Sequence, residues 1–354
     1  MVDQTKVDAL AERIFGEING AMSLFNLYLG HKLGLFRAMA DAGPLSSAGL
    51  AEKSGCQERY VREWLGAMAA GCYVDYDPAT RRFSLSPEQA TAFLDPANPS
   101  QVLPSVGFLP AMASVLPKLL KAFRTGGGVP YEDYGPDLVE AQGAGYRPVF
   151  ASELIPRWIG AMPDVEARLK IGGRILDVGC GVGWSSILLA KAFPKTEVDG
   201  LDPDLASVNQ AKKNAEEEGV AERARFTRAA VEEARLQGPY SLITLFECLH
   251  DMAYPVKALT AVRKLLADDG AVLISDERVG ESLEENIDFT GQLYYNFSTL
   301  HCLPQAMVFP DSAATGAVMA ASTLKGYARE AGFLKVKVLP VEHPLFRLYR
   351  LEKK

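Results

Sequence analysis

The chain has 354 residues, of which 48% are hydrophobic and 23% are charged, and its formal net charge is −7. This length and composition predict a globular protein of two domains with a sizeable core. The acidic balance, with a pI near 5.3, disfavours a surface for nucleic acid or anionic lipid, because both attract basic patches. The five cysteines lack a Cys-x-x-Cys pair, and residues 1–11 lack the pattern of a signal peptide. We therefore expect a reduced, cytoplasmic protein without a disulfide framework.

The first 90 residues have the pattern of helices followed by a hairpin. Residues 5–40 carry apolar side chains at three- and four-residue spacing, which predicts helix, and residues 46–53 and 58–70 give two further helices. Two short strands between Tyr73 and Leu85 complete a winged-helix pattern. Nine Lys/Arg against eleven Asp/Glu leave this segment without a basic recognition face. We expect a winged-helix domain, residues 1–95, that joins two copies into a homodimer.

An uncharged, proline-rich segment follows the predicted hairpin. Residues 96–117 contain 22 residues without a charge, about the length of a membrane helix. Five prolines interrupt this segment, and because proline removes a backbone donor and kinks a helix, we predict two short buried helical pieces and no membrane span. We expect residues 96–165 to form a helical connector that contributes to a substrate pocket.

Short apolar runs alternate with amphipathic helices in the rest of the chain. This alternation predicts βαβ units and a parallel sheet. The predicted strands are residues 174–178, 196–202, 224–229, 241–246 and 271–275. After a helix at residues 323–331, residues 336–341 and 345–351 form a final hairpin, so we expect an antiparallel last strand.

The most informative string is Asp177-Val-Gly-Cys-Gly-Val-Gly-Trp, which follows a predicted strand and opens a helix. Glycine lets the backbone turn sharply and approach a ligand, and the helix start offers unpaired N–H groups. The string therefore predicts a nucleotide-like cofactor. It does not match the dinucleotide fingerprint G-x-G-x-x-G, and it lacks the Gly-Lys-Ser/Thr of a P-loop.

The string resembles the first motif of class I S-adenosylmethionine (SAM)-dependent methyltransferases, D-x-G-x-G-x-G. Asp202 closes the next strand 19 residues after Gly183, where a carboxylate can accept both ribose hydroxyls. With the winged helix in front, the chain resembles two-domain O-methyltransferases of bacteria and plants, and most of all an actinobacterial branch. The resemblance implies an α/β fold: a Rossmann-like seven-stranded domain with an antiparallel last strand, residues 166–354, preceded by an α-helical winged-helix domain.

The resemblance also implies a SAM site along the strand ends. The expected cofactor-binding residues are Asp177, Gly179, Cys180, Gly181, Gly183, Asp202, Pro203, Ala230, Val231, Phe246 and Glu247. Many relatives have a polar residue where Ala230 stands, so we expect Glu232 or the backbone to bind the adenine amine. Trp184 either lines the methionine pocket or packs in the core. The alternative for Asp202 is a solvated strand end or the N-cap of the helix that begins at Leu205.

A His-Asp pair, His250-Asp251, follows the fourth predicted strand, where the resemblance places a general base. An imidazole with a pKa near neutrality can take the proton of a hydroxyl as that hydroxyl attacks. On this basis His250 and Asp251 are the expected catalytic residues. The alternative is a structural pair that caps the following helix.

A long insertion, residues 278–322, separates the fifth strand from the last helix. Such an insertion lies over the carboxyl ends of the strands, where open α/β sheets bind ligands, and we expect it to form a substrate lid. The expected substrate residues are Tyr131, Tyr294, Tyr295, His301 and Met307. They predict a planar or apolar acceptor, although a plain core cluster has the same composition. A His-Cys dipeptide at residues 301–302 lacks further spaced ligands, so we expect no metal.

The leading hypothesis is a SAM-dependent methyltransferase that methylates a hydroxyl of a small molecule and releases S-adenosylhomocysteine. The first alternative is an N-, S- or C-methyltransferase that needs no histidine base. A second alternative is a SAM-sensing regulator that uses its winged helix on DNA, against which the acidic N-terminal balance counts. A third is a fold that keeps SAM for a non-methylating reaction.

Overall fold

The computed structural model describes residues 1–96 and 98–354. Ala97, at the start of the predicted connector, lies outside the described residues. The chain divides into two compact units, Met1–Ala113 with Glu140–Pro148, and Ser114–Val139 with Val149–Lys354. The division into residues 1–95, 96–165 and 166–354, with a lid at 278–322, stays a prediction.

The first unit contains the expected winged helix. Its elements are α1 (Gln4–Lys32), α2 (Leu35–Ala40), α3 (Ser47–Ser54), α4 (Glu58–Ala70), β1 (Asp75–Asp77), β2 (Arg82–Ser84) and α5 (Pro87–Leu94). The helix predicted over residues 5–40 is two helices, because Gly34 adopts φ 67° and turns the chain between them. Leu35, Phe36, Leu50 and Leu65 are at most 1% exposed and form the centre of its core.

The prediction of two short helical pieces at residues 96–117 is wrong in part. A 3₁₀ turn, Leu103–Gly107, is followed by an 18-residue helix, α6 (Phe108–Thr125), which continues through Pro117. Pro110 is accommodated because it lies in the first turn, where backbone N–H groups have no helical partner. By length and hydropathy alone, Leu103–Thr125 could cross a membrane. Within its most apolar 18 residues, 44% are buried inside the protein.

The second unit is built on a seven-stranded sheet. Its strands are β3 (Gly173–Val178), β4 (Thr196–Asp202), β5 (Ala224–Arg228), β6 (Tyr240–Phe246), β7 (Leu266–Glu277), β8 (Lys335–Val338) and β9 (Phe346–Glu352). They lie in the order β5-β4-β3-β6-β7-β9-β8. The first five are parallel, and β9 runs antiparallel to both β7 and β8. The predicted fold class is therefore confirmed.

The remaining helices of the described chain have the following bounds. They are α7 (Pro136–Val149), α8 (Pro163–Ile171), α9 (Trp184–Ala192), α10 (Leu205–Glu217), α11 (Pro255–Leu265), α12 (Phe289–Phe297), α13 (Leu303–Ala306) and α14 (Ala321–Glu330), with π-helical turns at Phe150–Ile159 and Ser298–Cys302. The central strands are buried on both faces, as in other parallel sheets under helices. The strand order reverses between β3 and β6, and ligands bind at the carboxyl ends of strands at such a switch point.

Candidate active site

The glycine loop joins β3 to α9 in a conformation that requires glycine. Gly179, Gly181 and Gly183 adopt φ values of 71°, 51° and 85°, a region that L side chains rarely adopt. The amides of Gly179 and Cys180 both donate to the carbonyl of Leu201 on β4, at 2.8 and 3.0 Å. The loop is therefore tied to the neighbouring strand before the helix begins.

The three glycines have different surroundings. A Cβ on Gly179 would meet Cys248 at 2.7 Å, and one on Gly183 would meet the ring of Phe226 at 2.8 Å. A Cβ on Gly181 would meet no atom of the described chain within 4 Å. Gly179 and Gly183 thus allow the loop to pack on the protein, whereas Gly181 leaves space where a ligand can approach the backbone.

Asp177 supports this loop from below. It is 1% exposed, and its carboxylate accepts hydrogen bonds of 2.6 Å from Ser185, Ser186 and Thr244. Burial raises its pKa, and these hydroxyl groups oppose the increase. Because protein hydroxyls bind its oxygens, Asp177 positions the glycine loop and the start of α9. Its expected role as a cofactor-binding residue stays a prediction.

Asp202 ends β4 with its carboxylate turned towards the loop. One oxygen accepts from the amide of Gly181 at 2.9 Å, and the other accepts from the amide of Asp204 at 2.9 Å. Burial raises the pKa of Asp202 to about 6. The N-cap of α10 is Asp204, which accepts from the amide of Ser207, so the alternative that Asp202 caps this helix is wrong. A carboxylate next to the open glycine fits a ribose diol.

The residues expected at the adenine follow β5. The amide of Ala229 donates to the carbonyl of Asp202 at 3.1 Å, which keeps Ala230 and the buried Val231 beside the end of β4. Glu232 is exposed, and Pro203 is exposed with its carbonyl accepting from Arg228. The polar group that would bind the adenine amine therefore stays a prediction.

The end of β6 contributes a strained residue to the site. Phe246 is buried against Phe150 and Trp158, with ring centroids 5.5 and 5.4 Å away. Glu247 adopts φ 52°, which is rare for a residue with a side chain, and its carboxylate accepts from Ser275 at 3.0 Å. Burial and the nearby Glu277 raise the pKa of Glu247 well above its usual value. Strain of this kind is often found at functional sites.

His250 lies in a cluster of buried carboxylates. Its Nδ1 is 2.8 Å from Oδ1 of Asp276 and 2.9 Å from Oε2 of Glu277, and its Nε2 is 3.1 Å from Oδ1 of Asp251. His250, Asp276 and Glu277 are 2%, 1% and 5% exposed. Burial disfavours the imidazolium, but the three acidic side chains outweigh burial and raise the pKa of His250 well above its usual value.

The pKa shifts of the acidic neighbours agree with a charged imidazole. Burial opposes ionisation of Asp251 and Asp276, yet His250 holds the pKa of both carboxyl groups below the usual value. An ionised carboxylate only accepts hydrogen bonds, so Nδ1 of His250 carries the proton that it shares with Asp276. His250, Asp276 and Glu277 are groups of the kind that bind metals, within 4.8 Å of one another. The ion pairs to the imidazole account for this proximity, and we assign no metal to it.

Tyr131 and His301, expected at the substrate, lie together. Their ring centroids are 5.8 Å apart with the rings inclined by 61°, and Tyr134 packs edge-on against His301 at 5.0 Å. The Tyr131 hydroxyl hydrogen-bonds Ser207 of α10, and burial together with the charges of Asp202 and Asp204 raises its pKa. Tyr131 thus connects the end of β4 with the insertion that carries His301.

The other expected substrate residues have different positions. Tyr294 is 6% exposed, and its hydroxyl donates to the carbonyl of Leu345. Burial raises the pKa of Tyr294, and the charges of Glu247 and Glu277 act in the same direction, so it lies beside the acidic cluster. Tyr295 and Met307 are 38% and 37% exposed. The structure therefore brings Tyr131, Tyr294 and His301 near the strand ends and leaves Tyr295 and Met307 at the surface.

Two family models match the chain. Residues 20–94 match the Rv2258c-like winged HTH domain, and residues 146–338, more than half of the chain, match the methyltransferase domain. The chain belongs to the methyltransferase-domain family. This membership agrees with the glycine loop and the antiparallel β9 of the methyltransferase unit.

Relatives and solved structures agree with this family. The ubiquinone biosynthesis O-methyltransferase of Aeromonas salmonicida is 33% identical over 106 residues, which cover 29% of this chain and 43% of the relative. The structure of an O-methyltransferase family protein from Burkholderia thailandensis matches with TM-score 0.71 and 16% identity, over 100% of this chain and 99% of that one. An N,N-8-amino-8-demethyl-D-riboflavin dimethyltransferase from Streptomyces davawensis matches with TM-score 0.62 and 19% identity, over 97% and 99%.

These similarities have defined limits. The chain spans less than half the length of each of the curated relatives compared with it. At 16% and 19% identity, the two solved structures show that the fold is shared. The type of atom that receives the methyl group therefore has to be inferred from the residues of the site.

Three side chains of this candidate site were not predicted from the sequence. Asp276 and Glu277 end β7 beside His250, and Cys302 lies next to His301 with its thiol hydrogen-bonded to Asp251. The two acidic residues follow the rule that identified Asp202, since they also end a parallel strand. The role of Cys302 had no local signal, because its partner Asp251 lies 51 positions earlier in the sequence.

Proposed function

We propose that this protein is a SAM-dependent methyltransferase that acts on a hydroxyl group of a small molecule. The observation that carries the proposal is the pairing of Gly181 with Asp202. The glycine leaves an open approach to the backbone, and the carboxylate lies within hydrogen-bond distance of the same glycine amide. This combination fits the ribose of a nucleoside and the chain that follows it.

The charges around the site also fit SAM. When bound, SAM supplies a methyl group on a positively charged sulfur. Asp202 would hold the ribose, the glycine loop would approach the amino acid part, and the backbone carbonyl of Phe246 at the end of β6 would accept from the methionine ammonium, as the resemblance implies. Burial raises the pKa of Asp202 and of Glu247, so a cation bound beside them is favoured over an anion, because it stabilises their ionised forms. S-adenosylhomocysteine would leave as the product.

Two features support a hydroxyl acceptor. His301, whose pKa is lowered by burial, and the aromatic rings of Tyr131 and Tyr134 lie beside Asp251. A hydroxyl loses a proton when it is methylated, so a nearby base accelerates its reaction.

N-methylation is the second candidate, because the same fold occurs in a protein named as an N,N-dimethyltransferase. The direct test is a screen for SAM consumption with phenols, catechols, amines and thiols. Turnover with amines alone would contradict the hydroxyl assignment.

We also propose that two copies associate through α1. Nine apolar side chains of this helix are each at least 40% exposed: Val7, Leu10, Ile14, Phe15, Ile18, Met22, Leu24, Phe25 and Leu29. Only Leu27 and Gly30 of α1 are buried. An apolar stripe of this length requires a cover, and a second copy of the same helix supplies one of matching length. We expect light scattering to give twice the chain mass, and the I18D variant to give a monomer. A monomeric wild type at micromolar concentration would contradict this proposal.

A further inference from the structure

Two exposed apolar surfaces of the second unit carry opposite charges. The first is the α6 surface, which consists of Leu116, Leu120 and Phe123. These side chains are 46%, 61% and 74% exposed. Positions three and four residues apart lie on the same side of a helix, so they form one stripe about 10 Å long. Exposed apolar surface of this kind marks interaction sites.

The charged residues of α6 are all basic. They are Lys118, Lys121 and Arg124, and Phe108–Thr125 contains no aspartate or glutamate. Lys118 pairs with Asp133 at 2.6 Å. Lys121 and Arg124 are exposed, and neither has an acidic partner among the described residues. The apolar stripe is therefore accompanied by two cations that the carboxylates of a partner can reach.

The second surface is the acidic loop, residues 280–289, which lies near the start of the insertion. Three of its apolar side chains are 59%, 75% and 80% exposed: Leu283, Ile287 and Phe289. The loop is ordered by Asn286, which is 7% exposed. The Asn286 side chain accepts from the amide of Gly280 at 2.7 Å and donates to the carbonyl of Ser282 at 2.8 Å. An ordered backbone therefore holds these apolar side chains in water.

All charged residues of the acidic loop are carboxylates: Glu281, Glu284, Glu285 and Asp288. Three of them accept hydrogen bonds from backbone amides. Glu281 accepts from Ser322 at 3.2 Å, Glu285 accepts from Glu281 at 2.8 Å, and Asp288 caps α12. Glu284 is exposed and has no basic partner among the residues that the structure describes. This carboxylate is therefore available to the cations of a partner.

We propose that the α6 surface of one copy binds the acidic loop of a second copy. Each surface offers three apolar side chains, and the free cations Lys121 and Arg124 complement the free carboxylate of Glu284. In a two-fold dimer this contact forms twice, because each copy carries both surfaces. The inference goes beyond the proposed function and is separate from the pairing of α1.

The charges favour this pairing over other ways of covering the two surfaces. Pairing of α6 with α6, or of loop with loop, brings like charges together and opposes association. An anionic membrane attracts the cations of α6, but it repels the acidic loop and a chain of net charge −7. It also leaves the apolar side chains of the loop uncovered. A second copy supplies the complement of each surface at equal concentration.

Cross-linking between two different variants tests which surfaces meet. R124C and E284C are prepared separately in a C72S background, which removes the exposed thiol, and C72S alone controls for the remaining cysteines. The two proteins are mixed, allowed to exchange and treated with a short bis-maleimide. We expect a covalent dimer in the mixture and none in either protein alone. A covalent dimer of R124C alone, or none in the mixture, would overturn the inference.

Sedimentation velocity over a dilution series measures the strength of the contact. We expect L120D to raise the Kd of self-association by about tenfold or more, because it places a charge in the apolar stripe. R124E and E284K should each raise it by about threefold to tenfold. R124E/E284K again combines opposite charges, so its Kd should rise by less than the product of the two single effects. K212E and L334D make matched changes outside both surfaces and should leave the Kd unchanged.

Three results would contradict the contact. Purely multiplicative effects in this cycle and in the matching K121E/E284K cycle would overturn the pairing of charges. Self-association that is lost in I18D but unchanged in L120D and E284K would leave α1 as the only contact. Co-sedimentation with vesicles of equal parts phosphatidylcholine and phosphatidylserine, lost in R124E, would assign α6 to lipid instead. None of these measurements uses SAM or an acceptor, so their outcome is independent of the proposed function.

Discussion

The two halves of the candidate site are built from different groups: backbone at the ends of β3 and β4, and charged side chains at the ends of β6 and β7. At the ends of β3 and β4, the site consists mainly of backbone. Three glycines there have positive φ, and the carboxylate of Asp202 accepts from the amide of Gly181. At the ends of β6 and β7, side chains form a network of ion pairs around His250. A binding surface made of backbone is encoded within about 25 residues, whereas the charged network depends on residues that only the fold brings together.

The largest effect that we expect tests the charged network. H250Q removes the cation between Asp251, Asp276 and Glu277 and should lower the free energy of unfolding by about 3–5 kcal/mol. The pKa of His250 is raised in the folded protein, so this stabilisation is fully present below the unfolded pKa of about 6.5 and is lost as the pH rises through the folded pKa. Urea unfolding of both proteins from pH 5.5 to 9 should show the difference narrowing with increasing pH.

His343 provides a control of the opposite sign. Burial lowers its pKa, and its Nδ1 accepts from the amides of Leu345 and Phe346 at 3.2 and 3.1 Å. Its contribution is present above the unfolded pKa and is lost as the pH falls, so the effect of H343Q should shrink in acid. If H250Q and H343Q show the same pH dependence, the ion pairs of His250 do not stabilise the fold.

The next effect separates the packing of the glycine loop from its binding surface. G179A combines a left-handed φ with a Cβ placed 2.7 Å from Cys248, so it should lower the free energy of unfolding by about 2–4 kcal/mol. G181A has a left-handed φ but no such clash, and about 1–2 kcal/mol is expected. We expect G181A to lose more affinity for S-adenosylhomocysteine than its small loss of stability would explain. Equal stability of the two variants in urea unfolding would contradict the packing argument.

The last prediction concerns Asp202 alone. D202A should weaken SAM binding by about 1–3 kcal/mol in calorimetry, because the ribose hydroxyls lose a buried acceptor. The pKa of Asp202 is about 6, so wild-type affinity should decline as the pH falls below that value, and D202A should not show this decline. D204A removes the cap of α10 and serves as the control, with a loss of stability of about 0.5–2 kcal/mol. Unchanged affinity of D202A would exclude Asp202 from the site.

Local patterns predicted the elements that lie next to one another in the chain. The glycine string before α9, the end of β4 at Asp202 and the antiparallel β9 follow from periodicity and motif. The continuation of α6 through Pro117 was not predicted from the sequence. Proline weakens a helix, but burial of the apolar side chains of α6 can offset that loss. Local propensity alone cannot decide between these two contributions.

The sequence by itself determined that the chain carries a glycine loop, a carboxylate 19 residues later and two histidines near the strand ends. Only the tertiary structure decided what each group does. Asp204 rather than Asp202 caps α10, Tyr295 and Met307 lie at the surface, and His250 and His301 have opposite shifts in pKa. The physical reason is that protonation depends on burial and on charges within a few ångströms, and those neighbours come from β7 and from the insertion.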